Sequence, residues 1–408
     1  MTRPIRLGLM YSYREGWIGG SYYLLNLISA LKRLDKRDRP DLTVLAFADN
    51  EIDQVRALDY PGATYRVLHE PSPGPVLSLA NRVTKKLIGR LVKLPPAIQD
   101  ELDIIYPAGL HARYRNISQR LFWIPDFQEE YLPEMFGKQK VENRRNYRGR
   151  VARSAEHIVF SSQDAASDFR RFYPESSAQV HVLNFAVTHP DYKVLDVESL
   201  RKKFSLGNAA FFLVSNQFWK HKNHPLVIEA LNHLIDSSND EGCLVCFSGK
   251  EQDGRNPEYA SGIRAMVAEH HLQDRVRFLG FIDRAEQLAL MKASSAVIQP
   301  SLFEGWSTVI EDAKALSVPV IASDLAVHQE QLGGQGIFFD RADSTDLAGK
   351  MGEQLQSGAE RKIDQWSYDQ RVEAFGRNFV EILQRVLFES SKDQPHSATG
   401  HARRKTSE

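Results

Sequence analysis

A carboxylate stands in a short polar loop where an apolar run gives way to a helical pattern. The run Ala296–Ile298 ends at Pro300, as expected of a buried parallel strand that stops at the carboxyl edge of a sheet. Glu304 follows in the loop, and a helix is predicted from Ser307 or Thr308, with a hydroxyl group capping its first turn. Free backbone N–H groups, the positive end of a helix and a carboxylate suit an anionic ligand that is rich in hydroxyls.

A second group of polar residues follows another predicted buried strand, Ala210–Ser215, and precedes a predicted helix. The polar side chains there are Asn216, Lys220, His221, Lys222 and His224. Fixed cations at the carboxyl end of a strand suit an anionic ligand such as a phosphate group. Gly249, which follows a later strand, is predicted to allow close approach of a ligand. A solvated basic loop is the alternative for this cluster.

Around Glu304 the sequence resembles the retaining glycosyltransferases of family 4, which have the two-domain GT-B fold. Their motif is Pro-Ser, then Glu-Gly-aromatic, a second Glu eight residues after the first, and a Pro-Val-Ile strand. The matching residues here are Pro300, Ser301, Glu304, Gly305, Trp306, Pro319, Val320 and Ile321. The second Glu of the family falls on Asp312, while Glu311 stands one position earlier. Consecutive helical residues diverge by about 100°, so the two cannot face the same ligand.

The resemblance implies the transfer of a sugar from a UDP- or GDP-linked donor to a hydroxyl acceptor. Glu304 would then hold hydroxyls of the donor sugar, Asp312 or Glu311 the ribose, and Lys222 the diphosphate. The loop residues implied to line the same pocket are Gly305, Trp306, Ser307 and Thr308. In such retaining enzymes the leaving phosphate is thought to take the proton of the acceptor, so no general base is nominated.

The chain departs from the family pattern at two further positions. The family has an Arg six residues before the phosphate-binding Lys, and Asn216 stands there, so Lys220 or another group is expected to supply the second charge. A His usually precedes Asp126, and Pro125 replaces it. Asp126 is a candidate for the cleft, with a structural role in its loop as the alternative. His111 is a further candidate, although a lone His is more often a hydrogen-bonded surface residue.

The loop Glu15–Gly20 lies between the first predicted strand and its helix. Paired glycines there allow a tight turn or close approach of a ligand. By resemblance, Gly19 and Gly20 would bring this loop against the donor phosphates. An ordinary tight turn is the alternative.

Strands and helices alternate along the whole chain, which predicts two tandem Rossmann-like, doubly wound domains that face a central cleft. The first is expected over 1–188 on the acceptor side, and the second over 196–366 on the donor side, with a linker at 186–196. By resemblance, a helix at 367–389 should cross back onto the first domain. The polar stretch 390–408 is expected to be disordered.

The composition of the chain argues against several classes of binding partner and against a membrane-spanning segment. The 408 residues carry a formal net charge of zero, which gives no electrostatic support for binding nucleic acid. No apolar run approaches the roughly 20 residues needed to cross a bilayer, so a cytoplasmic location is expected. Cys243 and Cys246 lie at an odd offset in a predicted strand and are interpreted as buried thiols on opposite faces. His221 and His224 lack a third ligand, so no metal or cofactor is expected.

Residues 82–94 combine basic side chains with an apolar stripe, which is typical of a helix that lies on an anionic membrane surface. An ordinary surface helix is the alternative. A second basic run, Lys138–Arg153, is more simply interpreted as a solvated face. The expected acceptor is a sugar or a lipid-linked glycan, and a membrane contact through 82–94 would place the chain peripherally on the inner face of the membrane.

The function predicted from these features is a metal-independent, retaining hexosyltransferase of bacterial polysaccharide or glycolipid synthesis. Two alternatives remain from the sequence: a sugar-nucleotide epimerase with the same fold, and a non-catalytic homologue that acts as a partner subunit. The departures at Pro125, Asn216 and Asp312 favour the second alternative, whereas no carboxylate and His arrangement for proton abstraction supports the first.

Overall fold

The computed structural model describes most of the chain as helices and strands. The described residues are 3–13, 18–68, 97–98, 100–110, 113–114, 117–237, 242–357 and 367–392. The basic segment 82–94, the candidate His111 and residues 393–408 lie outside them.

The first domain is built on a parallel sheet of seven strands. Its strands are β1 (Arg6–Met10), β2 (Asp41–Ala46), β3 (Thr64–Val67), β5 (Leu102–Tyr106), β7 (Ile117–Ile124), β8 (His157–Phe160) and β9 (Gln179–Val182), while β4 (Ala97–Ile98) pairs separately with β6 (Arg113–Tyr114). The spatial order is β3-β2-β1-β5-β7-β8-β9. The helices are α1 (Ile18–Arg33), α2 (Asp49–Arg56), α3 (Gln128–Tyr131), α4 (Lys138–Ser154) and α5 (Gln163–Phe172).

The second domain has a parallel sheet of six strands in the order β12-β11-β10-β13-β14-β15. These strands are β10 (Phe211–Ser215), β11 (Leu244–Ser248), β12 (Val276–Gly280), β13 (Ala296–Gln299), β14 (Val320–Ser323) and β15 (Ile337–Phe339). Its helices are α6 (Val197–Lys203), α7 (His224–Asp236), α8 (Tyr259–Glu269), α9 (Arg284–Ala293), α10 (Thr308–Leu316), α11 (Ala326–Leu332) and α12 (Ser344–Ser357). Short 3₁₀ turns cover Pro133–Met135, Lys220–Lys222 and Gly333–Gln335.

The strands at the centre of both sheets are buried along their whole length. Every residue of β5, β10 and β11 is buried, as expected when helices cover both faces of a parallel sheet. Cys243 and Cys246 are free, buried thiols, and they belong to the two apolar clusters on opposite faces of the second sheet. The predicted doubly wound architecture and the interpretation of the two cysteines are therefore confirmed.

The last helix, α13 (Tyr368–Lys392), packs against α1 of the first domain. Its buried residues Val372, Phe375 and Phe379 belong to the same apolar cluster as Leu27 of α1. The predicted return of the C-terminal helix is confirmed, although it continues to Lys392, past the predicted end at residue 389. None of the helices in the described part of the chain is both long and apolar enough to cross a bilayer.

One local prediction was wrong in detail. Helix α1 begins at Ile18, inside the stretch Glu15–Gly20 that was predicted as a loop, because the Ile18 side chain is buried and extends the apolar face of the helix. The second basic run is helix α4, which buries Val141 and Val151 and exposes Lys138, Lys140 and Arg145, as predicted of a solvated face. In α10 the buried face includes Ile310, whereas Val309 is only half-buried.

Candidate active site

The carboxyl edge of β13 leads directly into the loop that holds the central carboxylate. Ser307 ends this loop as the N-cap of α10, where its Oγ accepts a hydrogen bond from Ile310 N at 3.3 Å. The side chain of Gln331, on α11, holds the backbone of this capping residue in place. It accepts a hydrogen bond from Ser307 N at 3.1 Å and donates one to Ser307 O at 2.8 Å. The predicted hydroxyl cap is confirmed, and it directs the N-terminus of α10 toward the Glu304 loop.

Glu304 is the centre of a dense network at this edge. Its Oε1 accepts from Gln299 Nε2 at 2.7 Å and from Ser301 Oγ at 2.7 Å, and it forms an ion pair with Lys222. The side chains of Lys222 and Glu304 are 12% and 11% exposed. The two charges predicted from separate stretches of the sequence therefore meet in one site.

The positive charge of Lys222 shifts the pKa values of the neighbouring groups in this network. Burial alone would raise the pKa of Glu304, but the Lys222 ammonium, assisted by His221 and His328, lowers it to about 2. Burial, reinforced by the Lys222 charge, lowers the pKa of His221 to about 3. At neutral pH the site holds an ionised carboxylate, an ammonium group and neutral histidines.

Lys222 is placed by an abrupt turn between β10 and α7. The 3₁₀ turn Lys220–Lys222 is followed by Asn223 in the left-handed region at φ 53°, and α7 begins at His224. Asn216 at the start of this loop is buried and donates to Gln299 Oε1 at 3.2 Å, so a neutral amide stabilises the network where the family carries an Arg. Lys220 is exposed and makes no ion pair with any residue that the structure describes.

Gly249 allows close contact between two segments of the protein itself. It has a positive φ of 152°, and a Cβ at this position would lie 2.1 Å from the backbone oxygen of Asn216. Its small size is therefore required for the loop of Lys222 to fit against β11, before any ligand is considered.

The two carboxylates of α10 are both enclosed. Asp312 forms an ion pair with Arg284, and His189 Nε2 lies 3.0 Å from its Oδ1, while its Oδ2 is buried without a hydrogen-bond partner among the described residues. Glu311 is 3% exposed and is bonded to Lys314 and Gln331. Burial opposes ionisation of Asp312, but the Arg284 guanidinium keeps its pKa below the usual value. The ribose contact stays a prediction for either residue, and for Asp312 it would have to use Oδ2.

The loop of Glu304 also contacts the first domain. A Cβ at Gly305 would lie 2.6 Å from Pro125 O and 2.8 Å from Asp126 Cβ, so Asp126 packs directly against this loop. The Trp306 ring packs on the core of the first domain and donates from Nε1 to Phe185 O at 3.2 Å. The side chain of Trp306 therefore supports the contact between domains rather than the floor of the donor pocket.

The two domains are joined at a further point by a carboxylate. Glu330 of α11 accepts from Gln163 N at 2.8 Å and Asp164 N at 3.0 Å, the first N–H groups of α5, and from Asn184 Nδ2 at 3.3 Å. A carboxylate at a helix N-terminus satisfies N–H groups that the helix leaves free. This contact had no signal in the sequence, because its partners are separated by 146 to 167 residues.

Gly19 and Gly20 lie in the first turn of α1 rather than in the preceding loop. A Cβ at Gly19 would meet nothing within 4 Å, and Gly20 is buried. The structure does not bring either glycine against the Glu304 network, so their phosphate role remains an expectation.

Several residues of the network were not singled out from the sequence. Gln299 is the last residue of a buried strand and Arg284 begins α9, whereas His189 lies in the linker that was expected to separate the domains. A buried amide at the end of an apolar strand is a usable signal, since such a side chain needs partners. Within the described ranges no group of three or more His, Cys, Asp or Glu side chains is arranged to hold a metal ion.

The fold and this edge define the class of protein. A glycosyltransferase from Rickettsia africae matches with a TM-score of 0.63 at 14% identity, covering 96% of this chain and 100% of that one. HepE from Anabaena, solved in complex with UDP and glucose, matches with a TM-score of 0.60 at 18% identity, covering 95% of this chain and 100% of HepE. Similarity at this level shows the fold, and it is the GT-B fold.

The sequence comparisons give the family. Residues 196–371 match the family described as Glycosyl transferases group 1. The O-antigen chain mannosyltransferase RfbU of Salmonella typhimurium is 26% identical over 263 residues, which span 63% of this chain and 68% of RfbU. The N-acetyl-alpha-D-glucosaminyl L-malate synthase of Bacillus anthracis is 27% identical over 156 residues, or 38% of each chain. Residues 196–371, which span the second domain, are therefore a domain of the group 1 glycosyltransferases.

Proposed function

We propose that this chain transfers a hexose from a nucleoside diphosphate sugar to a hydroxyl of a sugar or lipid-linked glycan, with retention of configuration and without a metal ion. The observation that carries the proposal is the Lys222–Glu304 pair beside the N-terminus of α10. The relative named as an O-antigen chain mannosyltransferase supports an acceptor in polysaccharide synthesis.

The ion pair would exchange partners when the donor binds. The diphosphate takes the Lys222 ammonium as its counter-ion, and Glu304 then accepts hydrogen bonds from hydroxyls of the sugar. As the bond from the sugar to the phosphate oxygen breaks, Lys222 and the first N–H groups of α10 stabilise the developing negative charge. The acceptor oxygen bonds to the same face of the sugar, and its proton passes to the leaving phosphate. Asp126 is proposed to border the acceptor side.

The test of Lys222 is a binding comparison. Lys222→Ala should weaken binding of a nucleoside diphosphate by about tenfold to a hundredfold and leave nucleoside binding nearly unchanged, because a charge-assisted contact is worth roughly 1.5–3 kcal/mol. Isothermal titration of UDP, GDP, uridine and guanosine measures both effects, with Lys202→Ala, which removes an exposed lysine of α6, as the control. Equal losses for the diphosphate and the nucleoside would remove Lys222 from the phosphate site.

The test of the reaction uses purified protein and a panel of sugar nucleotides. The correct donor should stabilise the protein against heat, since a ligand at 100 times its dissociation constant adds about 2.7 kcal/mol. The coupling constant of the new anomeric proton then reports retention, and activity after EDTA treatment reports metal independence. Inverted product, or activity restored only by a divalent cation, would contradict the corresponding part of the proposal.

A lipid-linked acceptor would bring the chain to the inner face of the membrane, where the basic segment 82–94 is the proposed contact. Cosedimentation with vesicles of phosphatidylglycerol, compared with vesicles of phosphatidylcholine, measures this contact. Replacing the basic residues of 82–94 by Gln should abolish binding to the anionic vesicles, and unchanged binding would remove the segment from the proposal.

A further inference from the structure

Three cations from both domains surround one buried aromatic ring beside the cleft. Lys140 Nζ, Arg144 Cζ and Arg255 Cζ lie 5.9, 4.7 and 6.0 Å from the centroid of the Phe136 ring. Lys140 and Arg144 are one turn apart on α4 of the first domain, whereas Arg255 follows β11 in the second. Since Phe136 is only 7% exposed, the ring holds the three charges at a fixed position.

The carboxylates near this cluster are already bonded. Glu129 pairs with Arg144 at 3.1 Å and also with Arg148, and Asp253 pairs with Arg255 at 2.9 Å. Lys140 has no carboxylate within ion-pair distance in the described part of the chain. Partial burial and the guanidinium groups of Arg144 and Arg255 lower the pKa of Lys140, while Asp253 opposes this. The cluster therefore keeps a positive charge that the protein does not neutralise.

The same place receives the positive end of a helix. Helix α4 has 17 residues and begins at Lys138 with no acidic residue in its first turn and no side-chain cap from Gly137. Uncapped N–H groups and the helix dipole add to the attraction of an anion by the three side chains.

The cluster adjoins the proposed donor site without being part of it. Arg255 lies 5.2 Å from the Trp219 ring, and the Trp219 and His221 rings are 5.6 Å apart. His221 immediately precedes Lys222, whose ammonium is engaged by Glu304. A second anionic group could therefore bind beside the donor diphosphate, on the side that faces the first domain.

We propose that Lys140, Arg144 and Arg255 form a subsite for a phosphate or diphosphate group on the acceptor. This assignment rests on the proposed transfer reaction and extends it to the acceptor class. Because the cations come from both domains, the bound group also links α4 to the second domain and favours the closed cleft.

The experiment uses inorganic pyrophosphate as the probe and the full chain carrying Lys222→Ala, which disables the donor phosphate site. Isothermal titration should still show one binding site for pyrophosphate in this protein. Adding Lys140→Gln or Arg255→Gln should weaken that binding by about tenfold, because each removes a charge-assisted contact. The control is Arg150→Gln, which removes an exposed charge from another face of α4 and should change nothing.

Absence of pyrophosphate binding in the Lys222→Ala protein, or equal binding after Lys140→Gln, would overturn the subsite. Farnesyl diphosphate distinguishes two sources of the anion: tighter binding than pyrophosphate supports a lipid-linked acceptor, and equal binding supports a soluble phosphorylated one.

A second measurement separates this proposal from the proposed reaction. Lys140→Gln alone should leave the thermal stabilisation by the donor sugar nucleotide unchanged, and loss of that stabilisation would assign the cluster to the donor instead. Failure of the proposed reaction would appear differently, as the absence of transfer by the unaltered protein while pyrophosphate still binds.

Discussion

Two buried carboxylates, eight residues apart in the chain, have opposite surroundings. Glu304 is 11% exposed, and its charge is met by Lys222, which is 12% exposed, and by two neutral donors from its own strand and loop. Asp312 is 1% exposed and joins α10 to Arg284 of α9 and to His189 of the linker. The proposed function requires the first carboxylate to exchange partners with a ligand, whereas the second connects three segments.

Within one motif, Glu304 is therefore expected to serve the reaction, and Asp312 is expected to hold segments of the fold together. Breaking a buried ion pair by removing one partner costs about 3–5 kcal/mol, because the remaining charge loses its compensation. An amide in place of Glu304 would still accept hydrogen bonds from Gln299 and Ser301, so the loss there is expected to be smaller. The predictions below ask whether Glu304 and Asp312 differ in this way.

The largest effect is expected on catalysis at Glu304. Glu304→Gln should lower kcat by about a thousandfold, or roughly 4 kcal/mol, because the sugar loses a charged acceptor at the site where the reaction occurs. The melting temperature should change by a few degrees at most, since the Gln oxygen still accepts hydrogen bonds from Gln299 and Ser301. Steady-state kinetics and calorimetry measure the two quantities, and Glu286→Gln, which breaks the surface pair with Lys203, is the control. A Glu304→Gln protein that no longer folds would show that Glu304, like Asp312, has a structural role.

The next effect is on stability at Asp312. Asp312→Asn should lower the free energy of unfolding by about 3 kcal/mol, because Arg284 and His189 lose the charge of a carboxylate that is only 1% exposed. Urea unfolding measures this, with Glu311→Gln as the control one residue away. If Asp312→Asn kept its stability and instead raised the KM for the donor, Asp312 would be the ribose contact. A larger donor defect in Glu311→Gln would transfer that contact to Glu311.

Acidification should destabilise the Glu304 region in a defined pH window. The His221 pKa falls from 6.5 to about 3 on folding, so below pH 6.5 only the unfolded state takes up this proton and stability declines. The Glu304 pKa falls from 4.5 to about 2, so its contribution is present above pH 4.5 and is lost as the pH falls through about 2.

Unfolding at pH 7.5, 6 and 5 measures the loss due to His221. His221→Asn should remove up to about 1.4 kcal/mol per pH unit from the slope, whatever its effect on absolute stability. The same slope in both proteins would show that His221 is not held neutral.

The smallest effect is expected at the contact between domains. Glu330→Gln keeps an acceptor for the first N–H groups of α5 but removes the charge that complements the helix, which is worth about 0.3–1 kcal/mol. Faster hydrogen exchange at Asp164, with unchanged exchange in β10, would locate the effect. Equal exchange throughout would show that Glu330 does not hold the domains together.

The sequence predicted the fold because its strands are continuous apolar runs and its helices keep a regular spacing. It also placed Glu304 and Lys222 at strand ends, where parallel sheets present side chains to a cleft. The direct pairing of the two could not be predicted, since it depends on the left-handed turn at Asn223 and on two loops that are 82 residues apart.

The surroundings of Asp312 were less accessible to prediction. The spacing of eight residues from Glu304 gave the position of Asp312 in the motif, but it did not show which segments cover the first turn of α10. Its partners come from α9 and from a stretch interpreted as a linker, where His189 N is itself bonded to Tyr368 of α13 at 2.9 Å. Contacts of this kind depend on how distant segments pack, and the local spacing of apolar residues does not predict them.

Because α13 packs against α1, the core of the first domain can be completed only after the second domain has been synthesised. The core of the first domain includes Val372, Phe375, Phe379 and Leu383, which leave the ribosome after the whole second domain. Until then α1 exposes the apolar surface that α13 will cover, whereas every residue of the second domain has already been synthesised. The nascent protein therefore carries an unfinished N-terminal half during most of its synthesis, the stage at which exposed apolar surface is open to chaperones and to aggregation.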